Sequence, residues 1–151
     1  MMVTTETLSR LSLFEGLPQE DLEALTGLCQ EVTCHRGEIL FREGETAKKM
    51  YILLEGVVTI QVQLTSRPES ITVGVINQPG QVVGWSGLVA PRHYTATAIC
   101  QADSRLLSIE GDACMRLLEE NPEMGFRIFR QIAEVISSRL RNTRVALLKT
   151  L

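Results

Sequence analysis

The strongest constraint on the fold is a series of short apolar runs between Val32 and Ile109, each ended by glycine or another turn residue. Runs rich in Val, Ile, Leu and Tyr are typical of β-strands, and glycines mark the turns between them. The runs are Glu38–Phe41, Met50–Leu54, Val57–Leu64, Ile71–Ile76, Gln81–Val83, Thr95–Cys100 and Arg105–Ile109. Seven or eight short strands at this spacing predict a β-barrel or sandwich. Thr65–Ser70 is the predicted tip of a hairpin between two longer strands.

Helical periodicity flanks this β-rich stretch on both sides. Before it, an apolar stripe from Leu8 to Leu17 has near-helical spacing and breaks at Gly16. A second helix is predicted to begin at Pro18, since proline suits the first helical position, and to end near Cys29. After it, one helix is predicted over Glu110–Glu120, and Pro122 begins a long helix that runs to about Lys149.

The long helix carries an apolar stripe whose members lie three, four or seven residues apart. They are Phe129, Ile132, Ile136, Leu140, Leu147 and Leu151, with Thr143 as an interruption. One small domain covers only part of such a stripe, so we expect the helix to form a homodimer. The alternative is that it packs back on its own barrel. Arg139, Arg141, Arg144 and Lys149 are interpreted as a solvated basic face.

The overall composition excludes several classes of protein. Over 151 residues, 15 Lys and Arg stand against 18 Asp and Glu, so the net charge of −3 does not indicate nucleic acid or an anionic membrane as a partner. No apolar run approaches the roughly 20 residues that span a bilayer, and residues 1–10 lack the features of a signal peptide. These observations predict a cytoplasmic protein. The four cysteines show no CxxC pair and are interpreted as reduced thiols that mostly contribute to packing.

Metal and nucleophile chemistry are not expected. The two histidines, His35 and His93, lie far apart and form no His-x-His pair, so a metal-dependent cupin enzyme is not expected and no metal ligands are predicted. No Gly-x-Ser-x-Gly elbow occurs either, because Gly87 comes one place early after Ser86. We therefore predict a protein that is not an enzyme.

One stretch has a more particular pattern than ordinary strands and turns. A glycine-bounded turn of small residues, Pro79–Leu88, is followed after a short spacer by Tyr94–Ala98, in which Thr and Ala alternate. Such a turn lets several backbone N–H groups converge on one point. That geometry suits a phosphate group.

This pattern resembles the cyclic nucleotide-binding domain, the jelly-roll sensor module of the catabolite activator protein, Fnr-type regulators, kinase regulatory subunits and nucleotide-gated channels. The resemblance covers nearly the whole chain and rests on the order of Gly37-Glu38, Gly44, Ala47, Met50–Leu53, Gly56, Pro79-Gly80, Gly84–Leu88 and Thr95–Thr97. It implies a mainly β fold with flanking helices. In that single domain, residues 1–30 are N-terminal helices, 31–109 a β jelly roll and 110–151 C-terminal helices.

The phosphate cassette departs from the family pattern at its two polar positions. Trp85 stands where the family has the glutamate that binds the ribose, and Tyr94 stands where it has the arginine that neutralises the phosphate. What the resemblance leaves for the ligand is Gly84, Ser86, Gly87 and Leu88 as backbone donors, with Thr95 and Ala96 on the following strand. Since each charge-assisted hydrogen bond contributes about 1.5–3 kcal/mol, cAMP binding is expected to be altered or weakened.

Two interpretations of the aromatic pair stay open. Trp85 and Tyr94 either form an altered pocket, with stacking and a phenolic or indole donor for a less charged ligand, or fill a vestigial cassette. Arg92, two positions before Tyr94, points to the same side of a strand and is a candidate replacement cation. Thr143 is a candidate contact to the nucleotide base, because activator-type relatives place a Thr or Ser on this helix. Alternatively, it is a polar position tolerated in the stripe.

These observations predict a ligand-sensing regulatory domain that functions in signal transduction or transcriptional regulation. Its ligand would be a cyclic nucleotide or another small molecule, with no other cofactor, and it would act as a homodimer on an unknown protein partner. Direct DNA binding is not expected, because the winged helix-turn-helix of activator relatives would begin where this chain stops, at Leu151. The alternatives are a ligand-free dimerisation module and the sensor half of a transcription regulator without its DNA-binding domain.

Overall fold

The computed structural model describes residues 3–151. This part of the chain contains four α-helices: α1 Thr5–Ser9, α2 Gln19–Thr26, α3 Gly111–Glu120 and α4 Pro122–Leu148. Its eight strands are β1 Cys29–Cys34, β2 Ile39–Phe41, β3 Lys49–Glu55, β4 Val58–Gln63, β5 Ser70–Ile76, β6 Val82–Val83, β7 Thr97–Cys100 and β8 Ser104–Glu110. Short 3-10 turns occupy Ser12–Phe14 and Trp85–Gly87.

The strands pair into two four-stranded antiparallel sheets that form the jelly roll. One sheet has the order β1-β8-β3-β6, and the other has the order β2-β7-β4-β5. The tip between β4 and β5 closes where the N–H of Leu64 donates to the carbonyl of Glu69 at 3.1 Å. Each of the seven predicted runs overlaps one of the strands β2 to β8, and the predicted mainly β fold with flanking helices is confirmed.

The first sheet is buried on both faces, which explains why its central strands are apolar almost throughout. Ile52 and Leu107 face a core shared with the N-terminal and C-terminal helices. Their neighbours Leu53 and Leu106 face a second core between the two sheets. Because successive residues of a strand point to opposite faces, both members of each pair must be apolar.

The structure differs from the sequence prediction around α2. That helix ends at Thr26 rather than near Cys29, and strand β1, Cys29–Cys34, is not among the seven predicted runs. All six residues of β1 pair with β8, from Cys29 opposite Ile109 to Cys34 opposite Ser104. Pairing with β8 thus decides a boundary that local helical periodicity had placed too late.

Helix α4 packs on its own barrel with its first half and leaves apolar side chains exposed in its second half. Met124, Ile128 and Ile132 are buried against the core. Leu140 and Leu148 are 70% and 59% exposed. The homodimer remains a prediction. No helix within residues 3–151 is both long and apolar enough to cross a membrane.

The prediction of four reduced cysteines is wrong for two of them. Cys34, at the end of β1, and Cys100, at the end of β7, form a disulfide with a Cα–Cα distance of 6.4 Å. No cysteine spacing along the chain signals this bond, because its partners approach only when the two sheets pack. Cys29 and Cys114 are free thiols. Burial raises the pKa of Cys29 to about 12 and that of Cys114 to about 11, which fits the predicted role in packing.

Candidate ligand-binding site

A tight turn after β6 forms one wall of the candidate site. Gly84 has a left-handed φ of +78°, which side chains disfavour, and the 3-10 turn Trp85–Gly87 follows it. The N–H of Gly87 donates to the carbonyl of Gly84 at 3.0 Å, and the N–H of Leu88 donates to the carbonyl of Trp85 at 2.8 Å. These two N–H groups are therefore used within the turn, although the sequence predicted them as donors to a ligand.

Two stacked aromatic rings close the inner side of the site. The ring centroids of Phe41 and Tyr94 lie 3.8 Å apart with an angle of 13° between the planes. A Cβ on Gly84 would lie 2.9 Å from the Phe41 ring and 3.1 Å from the Tyr94 ring, so only glycine fits beside the stack. The stack therefore occupies space that an open pocket would need.

The hydroxyl of Tyr94 points into the protein. It donates to the carbonyl of Lys49 at 2.6 Å. Burial raises the pKa of Tyr94 to about 12, so the phenol stays protonated and keeps this bond at neutral pH. The hydroxyl is thus committed to β3, and the prediction that it donates to a ligand is wrong for this conformation.

A small cavity of about 20 Å³ remains between the turn and the segment before β7. This is room for about one water molecule. It is lined by Phe41, Ile60, Gly84, Trp85, Ser86, Tyr94, Thr95, Ala96 and Arg139. Ser86 is only 5% exposed and makes no side-chain hydrogen bond within residues 3–151, but its hydroxyl is not fully enclosed, because Nε of Arg92 is the one fully buried side-chain polar atom without a partner there. The cavity therefore holds an unused polar group, which is the kind of group that binds a ligand.

The outer side of the cavity is closed by Arg139 of α4. Its guanidinium carbon lies 5.5 Å from the centre of the Trp85 ring. Such a cation–π contact contributes about 0.5–2 kcal/mol, depending on how far it is desolvated. Arg139 also lines a groove of about 320 Å³ between α4 and the chain from β5 to β6. Its side chain thus separates the small cavity from a much larger open space.

The structure brings together six of the ten predicted ligand residues. Those that line the cavity are Gly84, Trp85, Ser86, Tyr94, Thr95 and Ala96. Gly87 instead packs on β3, where a Cβ would lie 2.2 Å from the carbonyl oxygen of Lys49. Leu88 is 1% exposed and belongs to the core under the helices. Gly87 and Leu88 thus pack against the protein interior and do not line the cavity.

Arg92 is placed away from the cavity, so its proposed role as the replacement cation is wrong. Its guanidinium donates to the carboxylate of Asp112 in α3 at 3.1 Å. The residue has a left-handed φ of +67° and is not part of a strand, so the two-residue period of a strand does not apply to it. The backbone conformation thus turns the side chain toward α3.

Thr143 also lies outside the cavity within one chain. It lines a separate groove of about 510 Å³ between the end of α4 and the β4–β5 tip, together with Arg67, Leu140 and Leu147. A contact to a ligand in the cavity of the same chain is therefore not made in this conformation.

Phe41 and Arg139 line the cavity but were not predicted as site residues, although the spacing of Arg139 along α4 indicated an inward position. Ile132, Ile136, Arg139 and Thr143 are spaced by four, three and four residues, which places Arg139 on the inward stripe of α4. The structure accordingly buries much of its side chain, and this desolvation lowers its pKa. The interpretation of Arg139 as part of a solvated basic face is therefore wrong.

The jelly roll, the glycine turn after β6 and a long helix across the outer side of the site together define a class of protein. This class comprises regulatory sensor domains built on a β-roll. Within residues 3–151, no three His, Cys, Asp or Glu side chains are grouped as metal ligands would be.

Comparison with known proteins identifies the family within this class. Residues 31–121, more than half of the chain, match the family model of the cyclic nucleotide-binding domain. The chain therefore belongs to the cyclic nucleotide-binding domain family.

Its relatives include transcription regulators. A CRP-like cAMP-activated global transcriptional regulator of Mycobacterium tuberculosis is 30% identical over 138 residues, which are 91% of this chain and 59% of the regulator. Among solved structures, a protein from Geobacter metallireducens has a TM-score of 0.80 at 28% identity and is matched over 92% of this chain and 99% of that one. The N-terminal domain of a transcriptional regulator from Streptomyces coelicolor has a TM-score of 0.70 at 28% identity, over 93% and 94%. The chain thus spans about three fifths of the curated regulator that it matches.

Proposed function

We propose that this protein is a non-enzymatic sensor that binds a cyclic nucleotide in the site between the Gly84 turn and Ala96. The observation that carries the proposal is the cavity at this turn, which the hydroxyl-bearing side chain of Ser86 lines. A hydroxyl at the surface of a cavity can donate a hydrogen bond to a ligand there or accept one from it. Membership of the family and the kinship with a cAMP-activated regulator indicate the ligand class.

Binding is expected to be weaker than in family members with the polar pair. Trp85 and Tyr94 supply no charge, and the Phe41–Tyr94 stack leaves only about 20 Å³. Ligand entry therefore requires side chains around the cavity to move, and the free energy of that movement reduces the apparent affinity.

The proposed output of the sensor is a change in α4. This helix contributes Arg139 to the site and presents Leu140, the next residue, to solvent. If the ligand binds more tightly when α4 takes one arrangement on the barrel than when it takes another, binding shifts the helix to that arrangement. The shift would alter the surface that forms the proposed homodimer or contacts a protein partner. In a longer protein this signal would reach a transcription-regulating domain, as the relatives suggest.

A second candidate function is a ligand-free dimerisation module. The observation that favours it is the size of the cavity, which holds about one water and no nucleotide in this conformation. In that case, the aromatic stack and Trp85 stabilise the turn, and the apolar second half of α4 carries the function.

Isothermal titration calorimetry with cAMP and with cGMP, each up to millimolar concentration, tests the proposal. Saturable binding of either nucleotide is expected. Ser86→Ala should lower the affinity about five- to tenfold, because it removes the hydroxyl in the cavity. Ser137→Ala, at an exposed position of α4, is the matched control and should bind as wild type. No saturable heat with either nucleotide would exclude the cyclic-nucleotide sensor and leave either a different small ligand or the ligand-free module.

A further inference from the structure

Arg139 is a partly desolvated cation without an anionic partner in the part of the chain that the structure describes. Its stem packs on the bare backbone of β5, where a Cβ on Gly74 would lie 3.5 Å from its Cδ. Its guanidinium lies over the Trp85 ring. Within residues 3–151, Arg139 makes no ion pair and no hydrogen bond. A guanidinium has five N–H donors, so this side chain has the donors that an anionic ligand needs.

The cavity that Arg139 lines contains hydroxyl-bearing side chains and no carboxylate. Ser86 lines the same cavity and is likewise unpartnered within the described residues. Two acidic residues lie in the surroundings, and neither neutralises Arg139. Glu45 uses its carboxylate to accept the N–H of Arg42 at 2.6 Å, and Glu134 shares the outer groove with Arg139 without forming an ion pair. The site therefore presents an unneutralised positive charge beside a hydrogen-bonding hydroxyl.

We propose that Arg139 is the residue that binds the anionic group of the ligand, and that its guanidinium leaves the Trp85 ring to do so. This inference rests on the proposed function and adds the source of the positive charge, which is α4 rather than the segment around Tyr94. Position 94 cannot supply that charge, because its side chain is a phenol bonded to the carbonyl of Lys49.

The position of Arg139 also indicates where the rest of the ligand lies. Because Arg139 lines both the cavity of about 20 Å³ and the groove of about 320 Å³, its movement joins the two spaces. A phosphate at the Gly84 turn would then have its nucleoside in the groove beside α4. The ligand class that fits is a small phosphate-bearing nucleotide, held by one cation and otherwise by uncharged groups.

The test compares cAMP with adenosine, which lacks the phosphate. Affinities for both are measured by calorimetry for wild type, Arg139→Gln, Arg139→Lys and Arg141→Gln. Arg141 lies on the same helix, is exposed and lines neither the cavity nor the groove, so it is the matched control. Wild type and Arg141→Gln should prefer cAMP over adenosine by about tenfold to a hundredfold, the effect of one charge-assisted hydrogen-bonding group. Arg139→Gln should lose this preference, and Arg139→Lys should keep most of it.

Trp85 gives a second readout, because it is the single tryptophan of the chain. Displacement of the guanidinium from its ring should change the wild-type emission when cAMP is added and leave it unchanged with adenosine. Arg139→Gln should show an altered emission before any ligand is added and no difference between the two ligands. Circular dichroism and thermal melting establish that each variant is folded, and Arg139→Lys provides the test if Arg139→Gln fails to fold.

The outcomes separate this inference from the proposed function. If Arg139→Gln keeps the preference for cAMP, or binds cAMP more tightly than wild type, Arg139 only blocks the cavity and the inference is wrong, while the sensor proposal stands. If wild type binds cAMP and adenosine equally, the site does not recognise the phosphate and the inference is again wrong. If wild type binds neither cAMP nor cGMP, both proposals fail.

Discussion

Replacing Tyr94 by phenylalanine removes one hydroxyl group and keeps the ring that stacks on Phe41. In the structure this hydroxyl donates to the carbonyl of Lys49 at 2.6 Å, and the Tyr94 side chain is nearly fully buried. The variant therefore tests whether position 94 holds the fold together or contacts the ligand. The two roles predict opposite results for stability and for binding.

The expected cost in folding free energy follows from the lost hydrogen bond. Such a bond contributes about 1 kcal/mol net, and leaving the Lys49 carbonyl without this donor raises the cost to about 1–2 kcal/mol. For a chain of 151 residues, each kcal/mol corresponds to a fall in Tm of roughly 2–4 °C. The stacking energy does not contribute to this cost, because phenylalanine keeps the ring, whose centroid lies 3.8 Å from that of Phe41 in the wild type.

The measurement is urea denaturation of Tyr94→Phe beside Tyr51→Phe, together with a cAMP titration of each. Tyr51 is the only other tyrosine, and its hydroxyl makes no hydrogen bond within residues 3–151. Its variant should therefore lose much less stability. Neither variant should change the affinity for cAMP by more than about twofold, because neither hydroxyl lines the cavity as a free donor. Unchanged stability with a lost affinity for cAMP would refute this reasoning and show that the hydroxyl of Tyr94 faces the ligand.

The alkaline pH dependence gives a further check on the same residue. Burial raises the pKa of Tyr94 to about 12 from its usual value near 10. The folded state thus favours the neutral phenol, and this contribution to stability is fully present below pH 10 and is lost as the pH rises from 10 through 12. Wild type should lose stability over this range more steeply than Tyr94→Phe. Equal slopes for the two proteins would contradict a buried, protonated phenol.

Three other changes have clear expected outcomes. Alkylation of the denatured, unreduced protein should label two of the four cysteines, and four labels would contradict the disulfide. The double variant Cys34→Ser, Cys100→Ser should lose up to about 4 kcal/mol of unfolding free energy, because the unfolded chain gains entropy without the cross-link. Gly84→Ala should lose about 2 kcal/mol or more of unfolding free energy in urea denaturation, because Gly84 has a φ of +78° and a Cβ there would meet the Phe41 ring. Gly27→Ala, at an ordinary helix end, is the control and should be near neutral. Leu140→Glu should convert the proposed dimer to a monomer in analytical ultracentrifugation, since it charges the exposed stripe of α4; an unchanged sedimentation coefficient would place the interface elsewhere or exclude the dimer.

Much of the architecture could be predicted because it depends on neighbours in sequence. The β-runs end at turn residues, and Pro122 begins α4 at the expected residue. The turn at Gly84 was recognisable for the same reason, since a glycine can adopt the left-handed conformation wherever it lies. The absence of charge at positions 85 and 94 could also be read directly.

The contents of the site could not be predicted, because they depend on which distant segments meet. Tyr94 is turned inward by Phe41 from β2 and by a carbonyl of β3. Arg92 is turned outward by its own left-handed backbone and by a carboxylate of α3. No periodicity along the chain carries information on either partner.

By itself, the sequence determined the order of the helices and of strands β2 to β8, the glycine turn and the absence of charge at positions 85 and 94. Only the tertiary structure decided that the cavity is nearly filled, that Cys34 pairs with Cys100 and that Arg139 supplies the positive charge beside it. The physical reason is that backbone preference and hydrophobic period act over a few residues. Burial, pairing and charge compensation arise only when two sheets and a helix pack together, and that packing sets which side chains share a space.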